Sequence, residues 1–207
     1  TGAKTRKLIA QPLSGAVVGA VVTYLALQYG GVSANLDDPG RLAAMAAGII
    51  YALMGLFVGI GALAPGAGAK FLNVEDAAEI VEERAKIGPG AIACLLVGLL
   101  LIALALTPGD DLPGALSRDS AALIAAGAFA GLIVISLWMR SRIDEFNRSL
   151  SREGSALAMH VSILLFGGWA ALAHLGYVAW IAPLGLLAGF ALIELAAIYW
   201  VVGKRGV

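Results

Sequence analysis

Apolar residues run in six long blocks along the chain, Leu8 to Leu27, Leu42 to Ala64, Gly90 to Leu106, Ser120 to Met139, Ser155 to Leu175 and Ala182 to Val202. A helix needs about 20 apolar residues to cross roughly 30 Å of hydrocarbon, so each block predicts a membrane span. The pattern predicts an all-α polytopic membrane protein, a single six-helix transmembrane domain over residues 1–207. Two interruptions, Val32 to Gly40 with Asp37, Asp38 and Pro39, and Thr107 to Asp119 with Pro108, Asp110, Asp111 and Pro113, are short and built from turn residues. They leave little room for a folded domain outside the membrane.

Two polar stretches keep a helical period. Val74, Ala77, Ile80, Val81 and Ala85 recur opposite Glu75, Glu79, Glu82 and Glu83. With Asn73 and Asp76 as a capping pair and Arg84 and Lys86 at the far end, this predicts a short amphipathic helix lying on the membrane surface. Arg140 to Glu153 places Ile143, Phe146 and Leu150 on one face and is expected to continue the fourth span out of the bilayer. The order of residue types in these segments, together with Ala46-Ala47-Gly48 and Ala125-Ala126-Gly127 upstream, suggests a parallel repeat relating spans two and three to spans four and five.

Charge orients the blocks. Twelve of the fourteen Lys and Arg residues fall on one side of the alternation: Lys4, Arg6, Lys7, Lys70, Arg84, Lys86, Arg140, Arg142, Arg148, Arg152, Lys204 and Arg205. The other side keeps Arg41 and Arg118. Short loops rich in Lys and Arg stay cytoplasmic, which predicts both termini in the cytoplasm of a cell-membrane (inner-membrane) protein. The first block lacks a small-residue cleavage site and is expected to remain as a span. Tyr177, Trp180, Trp138 and Trp200 sit at block ends, where aromatic rings favour the headgroup level.

Composition narrows the function classes. The chain is 60% hydrophobic and 14% charged with zero formal net charge, so it offers no basic stripe for nucleic acid. Cys94, the one cysteine, excludes an intrachain disulfide and any multi-cysteine metal site. His160 and His174 lie fourteen residues apart, about 21 Å along a helix. Bis-histidine haem ligation would need a second pair, and the chain has only two histidines. No cofactor, metal cluster, phosphate loop or nucleophile with a matching base is expected, and the chain reads as a non-enzyme.

Two features remain. Gly15 and Gly19, Gly55 and Gly59, Gly127 and Gly131, and Gly185 and Gly189 form four small-xxx-small pairs on four spans, strips where helix backbones approach closely. Glu194 is the single acid inside a span, and an ionised carboxylate there must be paired or face a polar pocket. A tight turn near residues 177 and 178 would bring it level with residues 160–163, making His160 and Ser162 its candidate partners for a polar lock or for ion and proton handling. The expected function is a subunit or scaffold of a membrane complex, its partners the lipid bilayer and either itself or another membrane protein. The alternative is a small proton-linked transporter or channel using Glu194.

Overall fold

The computed structural model describes residues 38–71, 77–108, 115–140 and 142–205. Among them every regular element is a helix. We number these α1 (Pro39–Leu63), α2 (Pro65–Phe71), α3 (Ala77–Ala105), α4 (Arg118–Met139), α5 (Glu145–Ser162), α6 (Gly168–His174) and α7 (Pro183–Arg205), with a π-helical turn at Ile163–Gly167 joining α5 to α6. Five helical stretches are long and apolar enough to cross a membrane, the mark of a multi-pass membrane protein: Pro39–Leu63, Ile87–Ala105, Arg118–Met139, Glu145–His174 and Pro183–Arg205. The first apolar block, with Gly15 and Gly19, lies outside the described residues.

Both polar stretches differ from expectation in how they join the spans. Residues 77–86 do not form a separate surface helix; they are the first turns of the 29-residue α3, which runs through Pro89 without interruption. Proline deletes one backbone donor, and the surrounding turns keep the rest of the ladder intact. Ile80 is fully buried although it lies outside the apolar block, because α2 folds back against α3. The second stretch belongs to the fifth span and not the fourth. The fourth ends at Met139, capped by Arg140, and a new helix starts at Glu145, where the Asp144 carboxylate accepts from Asn147 N at 2.8 Å. An aspartate N-cap satisfies donors that a continuous helix would not leave free, so the break falls at residue 144.

The spans lie side by side in the order α4, α3, α1, α7, α5. Hence α7, last in sequence, sits between α1 and α5. The tightest seam is between α1 and α3: a Cβ on Gly98 would come within 2.7 Å of Ala52 N and 2.8 Å of Gly48 O, and one on Gly55 within 2.7 Å of Ala91 O. Lipid supplies no hydrophobic force between helices, so close backbone approach is what holds such a pair. The core beside this seam is Ala44, Met45, Ala47, Ile49, Leu101, Ala105 and Ala188.

Of the paired glycines, Gly55 is in the seam and Gly59 only touches Ala91 at ordinary distance. Gly131 faces Leu96, Gly185 faces Gly40 of α1, and Gly189 lies under the Phe166 ring. Nothing approaches Gly127 within 4 Å. Gly48 and Gly127 therefore have unlike surroundings, and α1 with α3 forms a packed pair whereas α4 and α5 share no extensive interface. The suggested repeat has no counterpart in the packing.

At one end of the bundle, Asp38 caps α1 by accepting from Gly40 N at 2.9 Å and Arg41 N at 3.2 Å. Arg41 then pairs with Asp38 at 3.2 Å and donates to Thr107 O at 2.5 Å, just past the end of α3. At the other end Arg205 of α7 pairs with Glu153 of α5. These are referred to below as the Asp38 end and the basic end.

Candidate functional site

Glu194 lies on α7 eleven residues before Arg205. Its Oε1 accepts a hydrogen bond from Ser155 Oγ of α5 at 2.9 Å. His160 is elsewhere: its ring is exposed and its Nδ1 is 2.6 Å from Ala156 O on its own helix. His174 is also exposed, near the Asp38 end of α6. The expected level for the partner, residues 160–163, is thus missed by about five positions.

The connection between the two helices accounts for the shift. Residues 179–182 are not helical, and Trp169 Nε1 donates to Ala179 O at 2.9 Å, which holds the connection against the helix it has just left. Helix advances ~1.5 Å per residue and non-helical chain up to ~3.3 Å, so four such residues can carry α7 up to roughly 7 Å further toward the basic end. That is about five helical residues, the distance from the expected level to Ser155.

A cavity of about 390 Å³ opens in front of Glu194. All five spans line it: Tyr51 of α1, Leu100 and Leu101 of α3, Phe129 and Leu132 of α4, Ser155, Met159 and Ser162 of α5, and Leu187, Phe190 and Glu194 of α7. Its α5 positions, Ser155, Ala158, Met159 and Ser162, follow the i, i+3, i+4, i+7 rule for one helix face, as do Leu187, Phe190, Ala191 and Glu194 of α7. Among the described residues α4 and α5 are the two ends of the helix row and share no extensive interface, and the cavity lies between them.

Polar groups sit at defined levels within these apolar walls. Ser155 is two residues from Glu153, so the Glu194 carboxylate lies on the basic-end side of the cavity. Ser162, roughly 10 Å further along α5, lies at the far end and is only 4% exposed. Tyr51 stands between, its hydroxyl donating to Ala191 O at 2.6 Å. That bond ties α1 to α7 across 140 residues and leaves the phenol oxygen free to accept. Phe166 and Phe190 pack beside it with ring centroids 4.8 Å apart.

Comparison with family models, curated proteins and solved structures finds no match.

The site therefore rests on its geometry. Of the three side chains singled out in the sequence, Glu194 and Ser162 line one cavity and His160 does not. Ser155 and Tyr51 were not singled out. Ser155 falls at a span boundary beside charged residues, where a serine carries no signal, and Tyr51 joins the site through a packing contact with no sequence signature. Among the described residues no three His, Cys, Asp or Glu side chains cluster as metal ligands would. Cys94 is half-buried on α3. The π-helical turn begins one residue after Ser162; such turns insert an extra residue into a helix and occur often at functional sites.

Proposed function

We propose that the chain is a small proton-linked membrane transporter or channel, non-enzymatic, with Glu194 as the charge-bearing group of an intramembrane cavity. One observation carries this reading: the single carboxyl inside a span is directed into a cavity lined by five helices and is held there by Ser155. Intramembrane carboxyls are costly unless they serve a pathway or a pair, and Glu194 makes no ion pair among the described residues. In reconstituted vesicles carrying a trapped pH dye, the wild-type protein is expected to dissipate an imposed proton gradient, and Glu194→Gln to slow that flux at least tenfold. Equal flux in the two proteins would remove Glu194 from the mechanism.

A second reading, a subunit or scaffold that assembles with itself or with another membrane protein, is favoured by α4. That helix packs on α3 and leaves Leu123, Val134 and Leu137 largely exposed. Lipid also covers such a face, so the cavity remains the stronger observation. Both readings share one threading in a cell (inner) membrane: six spans including the first apolar block, with both termini cytoplasmic. Cysteines introduced at Ser151 and at Ser117 check it, since Ser151 is expected to react with an impermeant thiol reagent only from the cytoplasmic side and Ser117 only from the opposite side.

A further inference from the structure

We infer that the cavity binds a lipophilic amine that carries a second hydrogen-bonding group about two helical turns from its ammonium, an inference that rests on the cavity being the working site. Three features of the cavity specify this ligand.

The basic-end side of the cavity selects charge. Glu194 accepts one bond from Ser155 and has no cationic side chain paired with it among the described residues. The other oxygens nearby are acceptors as well, since the Ser155 hydroxyl hydrogen is committed to Glu194 and the Tyr51 hydrogen to Ala191 O. A group that donates several hydrogen bonds and carries positive charge satisfies all of them, and an ammonium does both. An anion would meet only acceptors and a like charge.

The walls select an apolar, partly aromatic body. The rest of the lining is apolar and includes Leu100, Leu101, Phe129, Leu132, Met159 and Phe190. At about 390 Å³ the space lies within the roughly 300–1,000 Å³ typical of small-molecule sites. It would hold a compact molecule with two aromatic rings.

The far end selects a second polar group. Ser162 is 4% exposed and lines the cavity, and its hydroxyl makes no hydrogen bond within the described structure. A helix serine often returns its hydroxyl to the carbonyl four residues back. Here it does not, and a buried hydroxyl without a partner carries a desolvation penalty that a ligand group at that level would recover. Seven residues of helix separate Ser155 from Ser162, roughly 10 Å.

The probe set is a rigid para-substituted biphenyl with an aminomethyl group at one end and a phenol at the other, together with two analogues. One replaces the ammonium by a neutral hydroxymethyl group, and the other lacks the phenol. Equilibrium binding to the full chain in detergent is expected to rank the parent at least tenfold tighter than the neutral analogue and about threefold tighter than the compound without the phenol. Glu194→Gln should erase the first preference and leave the second, whereas Ser162→Ala should erase the second and leave the first. Leu132→Trp, which fills the cavity from α4, should abolish binding of all three. The inference is overturned if the neutral analogue binds as well as the amine, if Glu194→Gln keeps the amine preference, or if filling the cavity changes nothing. Should Glu194→Gln not fold, Ser162→Ala and Leu132→Trp still decide. Amine binding without proton flux would sink the transport reading and keep the site; flux without amine binding would do the reverse.

Discussion

Gly98→Leu is expected to cost about 3 kcal/mol or more and to leave little folded protein in mild detergent. A side chain there has nowhere to go, because the atoms it meets are Ala52 N and Gly48 O, which are backbone and cannot turn aside. Parting α1 from α3 by even one methyl thickness would also open the contacts at Gly48 with Ile102 and at Gly55 with Leu95. A well-packed seam loses many small dispersion contacts at once, so the penalty is cooperative along its length. Gly127→Ala is the matched control. Nothing lies within 4 Å of its new Cβ, and replacing a helical glycine by alanine stabilises by roughly 0.5–1 kcal/mol. Thermal unfolding of the two variants in one detergent checks both signs; a Gly98→Leu protein as stable as wild type would show that the seam is not where the bundle's stability resides.

Arg41→Ala is expected to destabilise by about 1.5–3 kcal/mol, the range for hydrogen bonds to charged groups. The Arg41 side chain is 11% exposed and holds the start of α1 to the end of α3 through Asp38 and Thr107. Truncation leaves the Thr107 carbonyl without this donor and the Asp38 carboxylate without its counter-ion. Arg41→Lys keeps the charge but cannot present two donors in a fixed fork, and so should recover less than half of the loss. The unfolding midpoints of the three proteins order as Arg, Lys, Ala. If alanine matched wild type, the pair would be the kind of ion contact that contributes nothing measurable.

The sequence revealed Arg41 only as an exception to a charge count, and this contrast runs through the whole molecule. Features set within a single helix were legible: the apolar blocks from Leu42 onward match the long apolar helices to within a few residues, except that the fifth helix begins ten residues early, at Glu145. Glu194 was equally visible, since its cost depends on position within one span. Features that depend on how one segment meets another were not. The partner of Glu194 is Ser155 and not one of residues 160–163, because the non-helical connection before Pro183 follows a path that no hydropathy pattern records. Glycine pairs one turn apart on the same helix do not include Gly98, whose counterpart Gly48 lies across the seam on another helix. Asp144 is a good N-cap in the sequence, yet amphipathic periodicity on both sides of it hid the break between the fourth and fifth spans.

The place of α7 in the row bears on how the protein is made. Ribosomes deliver helices in chain order, so α1, α3 and α4 can associate while synthesis continues, whereas α5 emerges into the bilayer with its packing partner still untranslated. That partner arrives last and must slot between two helices already inserted, closing the bond from Tyr51 to Ala191 and the bond from Ser155 to Glu194 together. A polypeptide released before Pro183 would hold α5 orphaned in lipid, with Ser155 and Ser162 facing no cavity. The cavity therefore lacks its α7 wall until Pro183–Arg205 has been made, and a chain that stops before Pro183 is expected to lose it whole.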